Sequence, residues 1–107
     1  MMHVSERYRL LADEVAAFSR LLHSDPAAEP GRSARRVQAA AAGLGEYREL
    51  VGEIPRIRLE TKLTPVLLKA HAQLDQARLL FEEEGAPDQA AAVWELEQKI
   101  YRLLNDL

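Results

Sequence analysis

The chain has 107 residues, of which 48% are hydrophobic and 29% are charged, and its net charge is −3 at pH 7. This balance is typical of a folded protein with a hydrophobic core and excludes a disordered chain. The absence of cysteine excludes disulfide bonds and thiolate metal sites. The mildly acidic charge argues against a general nucleic-acid binder or a binder of anionic membranes. We expect a single domain over residues 1–107.

The N-terminal residues do not combine a basic segment with a following apolar run, so no secretory signal is predicted. No stretch approaches the roughly 18 apolar residues that a membrane span requires. The default expectation is therefore a cytoplasmic protein without membrane association. Arginine outnumbers lysine and alanine is abundant, a composition that suggests a GC-rich bacterial genome.

Apolar residues that recur at alternating spacings of three and four predict amphipathic helices. The first predicted helix spans about 5–23 and carries Val4, Tyr8, Leu11, Val15, Phe18 and Leu22, with Ser5 as its N-cap. The second spans about 33–51 and carries Val37, Ala40, Leu44, Tyr47 and Val51, with Ser33 as its N-cap. Two prolines and a glycine between the two helices predict a loop.

The segment 52–64 is the hardest part of the chain to assign. Pro55 is expected to end the second helix, because the residue before a proline disfavours the α conformation. One side of the alternating pattern that follows, typical of a strand, consists of Ile57, Leu59, Thr61 and Leu63. A single strand would have to pair with another molecule. We expect an extended or kinked connector here, the alternatives being such a strand and the front of a helix kinked at Pro65.

The last two predicted helices form a hairpin. The third spans about 65–84 and carries Leu67, Ala70, Leu74, Ala77 and Phe81. The fourth spans about 88–105 and carries Val93, Leu96, Ile100, Leu103 and Leu107. Gly85 and Pro87 between them predict a short turn and antiparallel packing. Because each of the four helices has one apolar stripe to bury, we expect an all-α fold, a four-helix bundle.

No residue is assigned a catalytic, cofactor-binding or metal-binding role. His71 and Asp75 lie one turn apart, but two ligands are too few for a metal, and a surface hydrogen bond between them is the preferred interpretation. The acidic run Glu82-Glu83-Glu84 lies at a predicted helix end and is interpreted as a solvated patch. No side chain that could act as a general base is evident beside the serines, so the sequence does not predict nucleophilic catalysis. We therefore expect a non-enzymatic protein without a cofactor.

Two sets of residues are candidates for binding a partner. Trp94 and Tyr101 flank the apolar stripe of the fourth helix, and either the core accommodates both or they stay exposed for a partner. With Leu104 and with Leu59 from the alternating segment they form the candidate interface. This favours a protein–protein interaction or self-association module that binds a second copy of itself, as a homodimer, or another helical protein.

The second set is basic. Arg32, Arg35 and Arg36 lie at the predicted start of the second helix, where a helix N-terminus favours anions. They would form one basic face with residues of the alternating segment and beyond if the fold brought these together: Arg56, Arg58, Lys62 and Lys69. The alternative function is therefore a nucleic-acid-associated regulator. The negative net charge and the scarcity of aromatic residues argue against it.

Overall fold

The computed structural model describes residues 3–23 and 27–107, in which helices are joined by turns and short irregular segments. The four α-helices are α1 (Val4–Leu22), α2 (Arg32–Glu46), α3 (Arg56–Glu83) and α4 (Pro87–Asn105), and a single 3₁₀ turn, Val51–Glu53, precedes α3. The predicted all-α four-helix bundle is confirmed. The loop predicted after the first helix lies partly outside the described residues, at 24–26.

Neighbouring helices run antiparallel. Three hydrogen bonds show this, since each joins the beginning of one helix to the end of another. These bonds run from the Tyr8 hydroxyl to the Leu44 carbonyl (2.7 Å), from the Ser33 hydroxyl to the Glu84 carboxylate (3.0 Å) and from the Arg7 guanidinium to the Asp106 carboxylate (2.6 Å). They pair α1 with α2, α2 with α3, and α4 with α1. The hairpin between α3 and α4 completes the four-sided bundle.

Most of the buried core consists of the residues whose spacing predicted the helices. They come from all four helices and from the turn before α3: Tyr8, Leu11, Val15, Val37, Ala40, Leu44, Val51, Leu67, Ala70, Leu74, Ala77, Phe81, Val93, Leu96, Ile100 and Leu103. The core also includes Ala12, Leu59, Leu63 and Ala90. Val4, Phe18, Leu22, Tyr47 and Leu107 pack against this core and are partly buried. Full burial of one aliphatic side chain of this size stabilises the fold by about 1.5–3 kcal/mol.

The start of α3 corrects the prediction of a connector at 52–64. Residues from Arg56 onward are helical. Of the conformations considered for this segment, the correct one is the front of a helix that contains Pro65. Leu59 and Leu63, one turn apart, are 5% and 0% exposed and continue the buried stripe of α3, whereas Ile57 is 89% exposed. The alternating pattern was misleading because residues four apart, such as Leu59 and Leu63, lie on the same face of a strand and also on the same face of a helix.

Pro65 lies inside α3 and its side chain is exposed. Because proline has no N–H group, the carbonyl of Thr61 lacks its usual donor within the helix. Burial of Leu59 and Leu63 offsets this cost, since an unfolded 56–64 segment would leave both side chains in water. Tertiary packing has here outweighed the local preference of proline to begin a helix.

The other helix ends also show how the chain turns. α2 ends at Glu46, earlier than the predicted residue 51, and the following turns carry Val51 into the core.

At the end of α3, Gly85 has a φ of 73°, a backbone conformation that favours glycine. The N–H of Ala86 donates to the Phe81 carbonyl at 2.8 Å, which completes the glycine-terminated helix end that the sequence predicted.

Candidate functional site

Glu97 is fully buried where α4 packs against α3. Its side chain is 0% exposed, and it lies four residues after Val93 and three before Ile100, both core residues. An ionised carboxylate in such a position is costly unless it is paired or hydrogen-bonded. The charge state of Glu97 therefore affects how favourably α3 and α4 pack at this position.

A histidine and an arginine lie near Glu97, but neither is within hydrogen-bond distance. His71 Nε2 is 3.6 Å from Oε1, and Arg78 Nε is 3.7 Å from Oε2. N–H···O hydrogen bonds in proteins measure about 2.7–3.2 Å. No group in the described part of the chain donates a hydrogen bond to either oxygen of Glu97. Neither oxygen of Glu97 therefore has the hydrogen bonds that an ionised carboxylate requires in a buried position.

Burial raises the pKa of Glu97 to about 8, and the neighbouring Asp75 adds to this rise, while the charge of Arg78 opposes it. Burial would also raise the pKa of Asp75, but hydrogen bonds with Arg78 and Glu97 and the charges of Arg78 and His71 lower it below its ordinary value. Two carboxylates can only accept hydrogen bonds, so a proton on Glu97 provides the donor to Asp75. The raised pKa of Glu97 therefore favours its protonated form at neutral pH, whereas the lowered pKa of Asp75 favours its ionised form.

Arg78 lies between the buried Glu97 and the surface. Its Nε and Nη2 atoms lie 3.0 and 2.9 Å from Asp75 Oδ1, and Nη1 donates to Glu82 Oε1 at 3.0 Å. The guanidinium carbon lies 5.6 Å from the ring centroid of Trp94, within the range of a cation–π interaction. One guanidinium thus contacts two carboxylates and an aromatic ring.

Trp94 is 48% exposed and Tyr101 is 57% exposed, and a spacing of seven residues places both on one face of α4. We call the surface formed by His71, Asp75, Arg78, Trp94 and Tyr101 the hairpin face. A depression of about 500 Å³ adjoins it, lined by Arg78, Glu82, Pro87, Ala90, Ala91 and Trp94. The hairpin face therefore combines aromatic surface, a shallow recess and charges of both signs above the buried Glu97.

The predicted interface residues have different fates. Trp94 and Tyr101 stay largely exposed, whereas Leu104 is partly buried against the core. Leu59, also predicted for the interface, is only 5% exposed, because α3 points its side chain into the core. The predicted hydrogen bond between His71 and Asp75 is not found in the described region, where Asp75 accepts from Arg78 instead.

The basic residues do not form one face. Arg32, Arg35 and Arg36 are exposed at the start of α2, which the Ser33–Glu84 bond fixes beside the end of α3. Arg56, Arg58 and Lys62 lie at the opposite end of α3. With a rise of 1.5 Å per residue, Lys62 and Glu84 are separated by about 33 Å along the helix. The acidic run near the arginines also has partners, since Glu82 pairs with Arg78 and Glu84 accepts from Ser33.

The opposite end of the bundle has a second, larger groove of about 960 Å³, lined by His3, Val4, Arg7, Arg56, Ile57, Leu59, Glu60, Asp106 and Leu107. The exposed Ile57 lies on its rim. Across residues 3–23 and 27–107, no group of three or more histidine and acidic side chains has the geometry to hold a metal ion. None of the helices described is long and apolar enough to cross a membrane.

Sequence reasoning missed the burial of Glu97. The available signal was its position between Val93 and Ile100, together with a matching polar stripe on the facing helix. That stripe consists of His71, Asp75 and Arg78 at spacings of four and three. A glutamate at a core position opposite such a stripe indicates a buried polar cluster.

Compared with protein-family models, with curated proteins and with solved structures, the chain shows no significant match.

Proposed function

We propose that this chain is a non-enzymatic helical interaction module that associates with a second copy of itself through the hairpin face. The observation that carries the proposal is the exposure of two large aromatic side chains, Trp94 and Tyr101, on the same face of α4. Tryptophan, tyrosine and arginine are enriched among the residues that dominate binding energy at protein interfaces. On this chain Arg78 lies directly over the Trp94 ring.

A second copy is the favoured partner because the charges of the hairpin face complement one another. In a two-fold symmetric dimer the same patch of each copy meets its own image. The hairpin face and its rim carry the cation Arg78 and the anions Asp75 and Glu82. Two such patches can therefore bring opposite charges together, whereas a patch of one sign would repel its copy.

The burial of Glu97 supports a non-enzymatic role. A buried glutamate with a raised pKa beside a histidine is a pattern found in catalytic sites. A general acid or base must, however, reach the proton of its substrate. The side chain of Glu97 is 0% exposed, beneath Arg78 and the surface of the hairpin, so it has no direct access to a substrate.

Sedimentation equilibrium over a range of micromolar concentrations tests the proposal. We expect a monomer–dimer equilibrium for the unmodified chain and a loss of about tenfold or more in association for Trp94→Ala. Leu21→Ala is the matched control, because Leu21 is 76% exposed on α1, away from the hairpin face. A mass of one chain at every concentration contradicts self-association, and equal effects of both substitutions contradict the choice of surface.

A further inference from the structure

The buried carboxyl of Glu97 lies directly beneath the contact between Arg78 and Trp94. The distance from Glu97 Oε2 to Arg78 Nε is 3.7 Å, and the same guanidinium lies 5.6 Å from the ring centroid of Trp94. A single side chain thus faces a buried ionisable group on one side and an exposed aromatic ring on the other. A change in the charge of Glu97 therefore changes the electrostatic force on Arg78, the residue that covers the ring.

The titratable and charged groups that face Glu97 come from α3. They are His71, the anion Asp75 and the cation Arg78. α4 also packs against α1, whose Glu14 accepts a hydrogen bond from Lys99 at 2.6 Å. Lys99 is two residues beyond Glu97 and so points to the opposite side of α4. The charge balance at Glu97 is therefore set within the hairpin.

The two charge states of Glu97 have different preferred neighbours. Protonated Glu97 is uncharged and exerts no net attraction on Arg78, which stays with Asp75, Glu82 and Trp94. Ionised Glu97 repels Asp75 and attracts Arg78. Because charges interact more strongly in a buried environment than in water, the attraction draws the nearest guanidinium inward.

We propose that Glu97 is a proton-operated switch of the hairpin face: protonated Glu97 leaves Arg78 over the Trp94 ring, and ionised Glu97 draws Arg78 from the ring into the α3–α4 interface. The raised pKa of Glu97, about 8, centres this change slightly above neutral pH. Where the switch is read out as self-association, it rests on the proposed function. Loss of Arg78 from the hairpin face then weakens the dimer as pH rises.

Trp94 is the only tryptophan in the sequence, so its fluorescence reports on this ring alone. We expect the emission of the full chain to change in a one-proton transition centred near pH 8 when it is titrated from about pH 6 to about pH 10. Glu97→Gln, which cannot ionise, is expected to abolish the transition. Glu95→Gln, a substitution of an exposed glutamate on the same helix, is the matched control and keeps it.

Circular dichroism first verifies that each variant remains helical. Should Glu97→Gln fail to fold, ¹³C NMR of the glutamate carboxyl groups in the unmodified protein measures the same titration directly, and a buried carboxyl titrating near its ordinary pKa of 4.5 overturns the proposal. An emission transition that persists in Glu97→Gln, or that is missing from the unmodified chain, overturns it as well.

Sedimentation equilibrium at about one pH unit below and one above the transition separates the switch from the proposed function. A dimer that weakens about tenfold at the higher pH, with no such change in Glu97→Gln, supports both. A monomer at both pH values with an intact fluorescence transition defeats self-association and leaves the switch standing. A dimer combined with pH-independent fluorescence defeats the switch alone.

Discussion

The phenolic hydroxyl of Tyr8 donates a 2.7 Å hydrogen bond to the backbone carbonyl of Leu44, and both side chains are 0% exposed. Leu44 lies in the last turn of α2, where carbonyl groups have lost their regular partners within the helix. Burial, together with the nearby Tyr47 and Glu46, raises the pKa of Tyr8 well above its ordinary range, so the hydroxyl keeps its proton. One side chain thereby fills the core and fixes the beginning of α1 against the end of α2.

Tyr8→Phe removes this hydrogen bond and keeps the aromatic ring. We expect a loss of about 1 kcal/mol in the free energy of unfolding, because a buried carbonyl loses its strongest donor. Urea denaturation measures the loss. Tyr101→Phe is the control, since Tyr101 is 57% exposed and its hydroxyl can bond water, and it should change stability by less than about 0.5 kcal/mol. Equal losses in both variants would show that the Tyr8 hydroxyl is not a structural tie.

Leu74 and Ile100 lie at the centre of the core and are 0% exposed. Leu74→Ala and Ile100→Ala should each lower the free energy of unfolding by about 2–5 kcal/mol, because each leaves a cavity in a packed interior. Leu68→Ala on the same helix as Leu74 is the control, with a side chain that is 54% exposed and an expected loss below about 1 kcal/mol. Thermal and urea denaturation provide the comparison, and losses below the control in both core variants contradict the packing.

Pro65→Ala tests the continuity of α3. In the interior of a helix alanine is about 3 kcal/mol more favourable than proline, and the exposed Pro65 ring contributes little to the core. We expect a gain of about 1–3 kcal/mol in the free energy of unfolding, reduced from the full value by the greater freedom of the unfolded variant. If α3 began at residue 65, the proline would favour the helix start and its removal would lower stability. The sign of the change is therefore decisive.

The pH dependence of stability follows from Glu97. Its pKa is about 8 in the folded chain against an ordinary value of 4.5, so between these values the folded state holds a proton that the unfolded state has released. Its contribution to stability is complete below the lower value and is lost as pH rises through the higher one, by about 1.4 kcal/mol per pH unit. Urea denaturation at intervals across this range should show the decline in the unmodified chain and a flatter profile in Glu97→Gln.

Asp75 acts in the opposite direction and in a different range. Its pKa is lowered from the ordinary 3.8, so its contribution is present above that value and is lost as pH falls through the lower folded value. Acid unfolding of Glu97→Gln should therefore resemble that of the unmodified chain near the pKa of Asp75, although the two differ at neutral pH. A decline above pH 5 that survives in Glu97→Gln would have another origin.

The helices and the core were predictable because the apolar residues of each stripe, such as Leu74 and Ile100, recur in successive turns of one continuous segment. The start of α3 was not, because the preference of Pro65 is local, whereas the burial of Leu59 and Leu63 depends on helices distant in the chain. For the same reason Leu59 was misassigned to the surface. Local rules fail where tertiary packing decides between two conformations that both satisfy them.

The candidate site was only partly predictable. Spacing placed Trp94 and Tyr101 on one face of α4, but it could not decide whether the core would cover them. It also placed His71 and Asp75 together without indicating that Glu97 would face them. That juxtaposition depends on the rotation of α4 about its own axis, which all contacts of the helix set together.

The contact between Arg7 and Asp106, 2.6 Å long, also holds the beginning of α1 beside the end of α4. His3 and Leu107 line the same groove, so the first and last described residues are neighbours in space. A short linker can therefore span the distance between the start of α1 and the end of α4. A circular permutant that joins these two ends by a short glycine–serine linker and is cut in the turn after Glu83 should form the same bundle, since that turn is exposed.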